Sequence, residues 1–266
     1  MIDSFGRPIN YLRISVTDRC NLRCRYCMPR EGVRLLPSEE ILRFEEIVEV
    51  ARAAAGLGVN KIRLTGGEPL VRRGLESLVG MLAAVEGLAD LAMTSNGLLL
   101  ARHAVPLASA GLRRVNVSLD ALDPQRYAAI TRGGDVREVL AGIDAARDAG
   151  LNPVKLNCVV ETGAEERDAR DVAAFAKREG LEVRFIRQMD LVGGCFSVVR
   201  GGDGGDCARC NRLRLTSDGQ IRPCLFSDLS FSVRRLGAVE ALARAAAEKP
   251  PSGSVCSNRP IHSIGG

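Results

Sequence analysis

The residues of this chain best suited to chemistry are two groups of three cysteines. The first is CNLRCRYC, in which Cys20, Cys24 and Cys27 are spaced Cys-x3-Cys-x2-Cys. Three thiolates on one short loop can grip three corners of a cubane iron–sulfur cluster and leave the fourth iron open to an outside ligand. A zinc knuckle with a remote fourth ligand, or a set of buried free thiols, would use the same residues. The second group is CARCNRLRLTSDGQIRPC, with Cys207, Cys210 and Cys224 set among four arginines and no histidine nearby. Of the scattered thiols, Cys158 lies in an apolar run and reads as buried and inert. Cys195, and less directly Cys256, are candidates for a fourth ligand to the second group. His103 and His262 are isolated and read as structural or exposed.

The elements that must position these residues follow from pattern. Short β-rich runs occur at Tyr11–Thr17, Lys61–Thr65, Leu88–Thr94, Arg114–Leu119, Val154–Val160 and Val183–Met189. Helical patterns lie between them. One runs from Ser38, with its following glutamates, to the glycines at Gly56 and Gly58, and another from Val136 to Gly150. Six strand–helix repeats predict βαβ units on a parallel sheet, hence a partial or full barrel. A flat doubly wound sheet is the alternative, but its Gly-x-Gly-x-x-Gly fingerprint is missing after the first strand. Barrels place chemistry on the loops that follow strand C-termini. The Cys20 group, Gly66-Gly67-Glu68-Pro69, Ser95-Asn96-Gly97 and Asp120 all fall there.

Composition sets the outer limits. The chain has 266 residues, 46% hydrophobic and 26% charged, enough for a sizeable core. Its net charge of +5 is mild, and favours an anionic substrate only if the arginines converge. Nine cysteines without a signal-like start point to metal or redox chemistry in a reducing, cytoplasmic setting. No run approaches the roughly 18 apolar residues of a membrane span. Three segments are expected: a barrel over 1–190, a Gly-rich linker over 191–206, and a small region over 207–266 with the second cysteine group and a helix around Val239–Glu248.

Cys20-x3-Cys24-x2-Cys27, with Tyr26 before the last cysteine, and GGEP at Gly66–Pro69 together resemble the radical S-adenosylmethionine (SAM) enzymes. Longer stretches, among them GRPINYLRISVTDRCNLRCRYCMP, KIRLTGGEPLVRR, TSNGLLL, GLRRVNVSLDALD, CNRLRLTSDGQIRPCLF and the terminal Ile264-Gly265-Gly266, are similar to the GTP 3′,8-cyclases of molybdenum cofactor biosynthesis. The resemblance implies a partial (β/α)6 TIM-like barrel and two [4Fe–4S] clusters, one on Cys20, Cys24 and Cys27 and one on Cys207, Cys210 and Cys224. It implies SAM held by Tyr26, Gly67, Glu68, Thr94, Ser118 and Met189. GTP would lie against Arg13, Lys61, Arg63, Lys155, Arg184, Arg212 and Arg214, its guanine on the open iron of the second cluster. A triphosphate needs convergent cations, and arginine offers phosphate a planar fork.

The implied reaction starts with removal of the ribose 3′ hydrogen by a 5′-deoxyadenosyl radical. The carbon radical then attacks C8 of guanine, with Arg212, Arg214 and a Gly265–Gly266 tail supporting catalysis. The resemblance also implies a low-potential electron donor and cyclic pyranopterin monophosphate synthase as the next enzyme. A homodimer is among the assemblies it allows, while nucleic acid and membrane are not partners.

Two features depart from the family pattern. The connection LVGGCFSVVRGGDGGD is short, and Arg187-Gln188 stands where a carboxylate is usual. They leave open a relative with the same scaffold and one auxiliary cluster but another substrate, such as a peptide. They also leave open a second cluster closed by Cys195.

Overall fold

The computed structural model describes residues 1–189, 197–202 and 204–253. Its framework is one nine-stranded sheet. The strands are β1 (Tyr11–Ser15), β2 (Lys61–Thr65), β3 (Asp90–Ser95), β4 (Arg114–Ser118), β5 (Lys155–Val160), β6 (Glu182–Arg187), β7 (Arg212–Leu215), β8 (Gln220–Arg222) and β9 (Phe231–Ser232). They are ordered β6-β5-β4-β3-β2-β1-β7-β8-β9. All pairings from β6 to β7 are parallel, and the last two are antiparallel. The helices are α1 (Phe44–Gly56), α2 (Leu75–Ala83), α3 (Leu100–Ser109), α4 (Pro124–Thr131), α5 (Val136–Asp148), α6 (Arg167–Arg178), the single turn α7 (Val233–Leu236) and α8 (Ala238–Ala247). This is an α/β partial barrel, as six strand–helix repeats predict.

Alternation along each strand explains what the barrel does with its two faces. Leu12 and Ile14, Ile62 and Leu64, Val115 and Val117, and Leu213 and Leu215 are fully buried in the core. The intervening positions are polar or charged: Tyr11, Arg13 and Ser15 on β1, Lys61, Arg63 and Thr65 on β2, Arg114, Asn116 and Ser118 on β4, Arg212 and Arg214 on β7. A fully packed barrel fills its interior with branched apolar side chains. Here the face opposite the core carries cations and hydroxyls instead.

Strand ends shift by one or two residues from the sequence reading, and α1 starts later than Ser38. The backbone at Leu42 is committed elsewhere, its N–H donating to Ser217 O at 2.8 Å and its carbonyl accepting from Arg72 Nη2 at 2.6 Å. The helix therefore begins after Arg43, whose N–H donates to Glu46 Oε2 at 2.7 Å. The C-terminal segment is continuous with the barrel, because β7 lies beside β1 in the same sheet. Part of the glycine-rich connection also packs on the sheet, with Phe185 and Arg200 exchanging backbone hydrogen bonds at the edge of β6. Among the described residues no helix is long and apolar enough to cross a membrane.

Candidate active site

The loop after β1 carries Cys20, Cys24 and Cys27, all free and half-buried. It docks on the end of α4: Arg23 N donates to Thr131 O at 3.3 Å and Arg25 N to Ile130 O at 3.0 Å. A tight turn brings Cys27 N and Met28 N onto Cys24 O, at 2.9 and 3.0 Å. Burial raises all three thiols, Cys24 to about 12 and Cys27 to about 11; Asp120 adds to the effect at Cys24, and neighbouring cysteines at Cys24 and Cys27. Binding iron would have to strip these protons, so loading the loop is coupled to proton release.

The loop after β2 is folded against this one. A Cβ on Gly67 would stand 2.3 Å from Arg19 O, and one on Gly66 2.7 Å from Thr17 O. The glycines are needed so that the two loops can touch, with Gly67 N donating to Thr17 O at 2.8 Å. Glu68, buried, spends both carboxylate oxygens inside the protein. Oε1 accepts from Leu70 N at 3.0 Å and Ser95 Oγ at 2.9 Å, and Oε2 from Asn96 N at 2.7 Å. Its side chain is a brace between the loops after β2 and β3. Asn96 in turn reaches Asn21 Oδ1 at 2.8 Å, within the cysteine loop.

Register builds the cationic face. Arg13 is level with Arg63 on one side and Arg214 on the other, and Arg214 with Arg222 on β8. Four arginines thus form a row across β2-β1-β7-β8. Below them, Tyr11 is level with Lys61 and Arg212, both of which lie over its ring at 5.4 and 5.7 Å. Arg63 Nε donates to Tyr11 Oη at 2.6 Å and Nη1 to Thr94 Oγ1 at 3.2 Å. Burial and the charge of Arg214 bring Arg13 well below its usual pKa, and burial with Arg212 brings Arg214 down to about 10. Burial would raise Tyr11, yet the charges of Arg63, Arg13 and Arg212 hold it below its usual value. Such a field stabilises an anion.

The remaining cations differ. Lys61 pairs with Asp90 at 3.6 Å and Lys155 with Glu182 at 2.5 Å. Asp90 also takes the Arg114 fork. Arg184 lies on β6, level with Asn157, beneath Gly202. On the cofactor side, Tyr26 Oη donates to Asp120 Oδ2 at 2.7 Å, whose other oxygen accepts from Val159 N at 2.8 Å. Ser118 sits at the C-terminal end of β4 and Met189 packs on Leu225 and Phe226 beside Cys224.

The second cysteine group is framed by residues that spacing did not single out. Lys249, 3% exposed, donates from Nζ to Arg212 O at 2.8 Å and Pro223 O at 2.5 Å. Burial alone would raise Cys210, but the Lys249 ammonium, the Arg212 amide and the Arg212 charge lower it overall. Arg7, tied to Asp3 at 2.6 Å, donates to Cys207 O at 2.7 Å and to Pro250 O at 2.7 Å. Gly253 N lies 3.4 Å from Cys207 Sγ. Tyr11, Arg222, Lys249 and Arg7 were therefore missed. Alternation on β1 marked the Tyr11 position, while Lys249 and Arg7 gave no local signal.

Cys158 is fully buried, and burial raises its thiol further. His103 Nδ1 bonds Glu76 Oε1 at 2.6 Å. The roles expected of Cys195, Cys256, His262, Gly265 and Gly266 fall outside the described residues.

Among the described residues no three His, Cys, Asp or Glu side chains converge as ligands of one metal ion. Cys20, Cys24 and Cys27, free and half-buried on one short loop, are a donor set that fits a cluster in which each cysteine takes its own iron.

Residues 14–176 match the Radical SAM superfamily, and the chain belongs to it. Membership brings one [4Fe–4S] cluster and SAM. Within that class, the chain is 44% identical, in an alignment 303 positions long, to the GTP 3′,8-cyclase of Moorella thermoacetica, covering 94% of each protein. It is 38% identical to the GTP 3′,8-cyclase of Alkaliphilus oremlandii in a 322-residue alignment spanning both chains completely. The native anSMEcpe structure with bound AdoMet shares the fold, with a TM-score of 0.68 at 16% identity, covering 91% of this chain and 81% of the other.

Proposed function

We propose that this chain is a GTP 3′,8-cyclase, converting GTP to (8S)-3′,8-cyclo-7,8-dihydroguanosine 5′-triphosphate in molybdenum cofactor biosynthesis. The observation that carries the reading is the level row of Arg63, Arg13 and Arg214 on a sheet flanked by two three-cysteine loops. Like charges held side by side in a buried face suit an anion of several charges, and a triphosphate supplies one. The sequence relatives named as GTP 3′,8-cyclases support the same reading.

The division of labour follows the chain. In the barrel of residues 1–190, Cys20, Cys24 and Cys27 would hold the first cluster, and Tyr26, Gly67, Thr94, Ser118 and Met189 would border SAM. Glu68 acts behind them by holding Asn96 and Ser95. The 191–206 connection leads to residues 207–266, where Cys207, Cys210 and Cys224 would hold a second cluster against the guanine. Bound together, the first cluster and SAM would supply the radical chemistry needed at the ribose. The protein's own task is positioning: Arg13, Arg63, Arg212 and Arg214 fix the phosphates and nucleobase end so that C3′ faces that chemistry and C8 lies within its reach. Lys61, Lys155 and Arg184 would extend the cationic face, and the Gly265–Gly266 tail would support catalysis there, as the resemblance implies. A low-potential electron donor and a downstream cyclic pyranopterin monophosphate synthase complete the proposed setting.

The test is an anaerobic reaction of reconstituted protein with GTP, SAM and reductant, followed by mass analysis. The cyclised nucleotide is expected. SAM cleavage with GTP untouched would instead show another substrate. Arg212→Ala and Arg214→Ala should weaken GTP binding and leave SAM cleavage largely intact.

A further inference from the structure

Several exposed arginines on the outer helices are paired with carboxylates: Arg126 with Asp168, Arg137 with Asp135, Arg147 and Arg178 with Glu179, Arg234 with Glu46 and Arg244 with Glu240. Arg23, Arg25, Arg30 and Arg132 are also exposed, and among the described residues none of them pairs with a carboxylate. These four line one surface hollow of about 630 Å³, completed by Ala128 and Ala129. Three of them belong to the first cysteine loop, with Arg23 and Arg25 on either side of Cys24.

The hollow is built into the fold. Arg132 has φ +58°, the one left-handed non-glycine residue among those described. Such a backbone costs roughly 1 kcal/mol or more and persists where the surroundings require it. There its Nη1 donates to Arg23 O at 3.1 Å and Met28 O at 2.8 Å, spanning the cysteine turn from outside. The end of α4 and the cysteine loop therefore present their charges as one surface. The buried arginine row lies on the inner face of the sheet, whereas these four line a surface hollow beside the cysteine loop.

We propose that Arg23, Arg25, Arg30 and Arg132 form the docking surface for an acidic one-electron carrier protein that reduces the cluster on the adjoining loop. The proposal rests on the radical SAM reading of Cys20, Cys24 and Cys27. One electron leaves the carrier, whose flavin or iron–sulfur centre is oxidised, and is accepted at the cysteine loop; no bond or proton need move with it. Electron-transfer encounters are small and transient, and rely on complementary charge for speed rather than on buried area. Four positive charges within one hollow suit that task. A nucleic-acid partner characteristically engages more phosphates over a longer track.

The experiment uses cluster-loaded protein and a reduced acidic [2Fe–2S] ferredoxin, with photoreduced deazaflavin as an uncharged-surface control. Cluster reduction is followed by absorbance under anaerobic stopped flow, and association by calorimetry. For wild type, reduction by the ferredoxin should slow steeply as salt rises, because exposed charges are screened beyond about 10 Å at 0.1 M. Arg23→Glu/Arg30→Glu should lower the second-order rate constant at low salt by about ten-fold or more, and weaken association. Deazaflavin reduction and the SAM cleavage it drives should be unchanged. Equal rates for variant and wild type, or slowing with both reductants, would overturn the proposal, the latter placing the arginines in the cluster's own support. So would tighter binding of anionic vesicles or duplex RNA than of the ferredoxin. Failure of wild type to cleave SAM even with deazaflavin would instead overturn the radical SAM reading of the loop.

Discussion

Arg13 on β1 and Arg214 on β7 are Cα partners in adjacent parallel strands, two like charges at one level of a buried face. Each lies among further arginines, and burial with this mutual repulsion lowers the pKa of Arg13 well below its usual value. Cross-strand pairs of like charge oppose folding. A site that needs an anion accepts that cost. Arg13→Met keeps most of the side-chain volume and removes the charge. It should raise the stability of the ligand-free protein by about 1 kcal/mol while weakening GTP binding at least ten-fold. Denaturant unfolding and calorimetric titration measure the two effects. A variant both less stable and still tight for GTP would refute the anion-site explanation.

Tyr11 supports the same row from below. Its Oη accepts from Arg63 Nε at 2.6 Å, and its ring lies under Lys61 and Arg212. Tyr11→Phe leaves the ring and removes the acceptor, so a buried guanidinium N–H loses its partner at a cost of about 1–3 kcal/mol. KM for GTP should rise about ten-fold, with SAM cleavage unaffected. Tyr11→Ala should do more, since it also takes away the ring. If Phe matches wild type in KM, Tyr11 does not orient Arg63.

How much of this was readable in the residues depends on the range of each interaction. The six barrel strands were legible because burial of one face leaves a period of two, as in Tyr11-Leu12-Arg13-Ile14. The cysteine groups were legible because their spacing is local. The start of α1 was not, because Ser217 and Arg72, far away in sequence, take the Leu42 backbone. The bonds of Glu68 to Ser95 and Asn96 were not legible, because those partners lie at and beyond the end of another strand. The row Arg63–Arg13–Arg214–Arg222 needs the register of four strands, which no single stretch of sequence contains. Three of its members, Arg63, Arg13 and Arg214, could be named individually, but their alignment could not.

Burial pushes the Glu68 carboxyl from 4.5 up to about 7, against the pull of its hydrogen bonds from Asn96, Leu70 and Ser95. Between those pH values the folded protein keeps a proton that the unfolded chain has lost. The stabilisation is complete below pH 4.5 and disappears as pH rises through 7. Its ceiling is about 3 kcal/mol. Glu68→Gln cannot titrate, so cluster-free wild type should lose up to that amount relative to the variant between pH 4.5 and 7.5. Urea unfolding across this range reads the difference. Parallel curves for the two proteins would show that Glu68 titrates as it does in water.

Lys249 sits where the second cysteine loop closes, its ammonium donating to Arg212 O and Pro223 O and lowering the Cys210 thiol. Lys249→Met fills similar space without charge or donors. Two buried carbonyls then lose a charged partner, at about 1.5–3 kcal/mol for each hydrogen bond. The Cys210 thiolate also becomes harder to form, and iron binds thiolate rather than thiol. If Cys207, Cys210 and Cys224 hold the proposed second cluster, the variant reconstituted at pH 7 should fall from about eight irons per chain toward about four, and recover when reconstituted near pH 9. SAM cleavage should persist, because the Lys249 ammonium is bonded to Arg212 O and Pro223 O on the second cysteine loop's side of the sheet. GTP cyclisation should fall with the missing iron. Lys249→Arg restores charge and donors, and should hold more iron at pH 7 than the methionine variant. Full iron in Lys249→Met at pH 7 would show that the lysine supports the loop without assisting the cluster, and would leave Arg7 and its contacts with Cys207 and Pro250 as the remaining clamp.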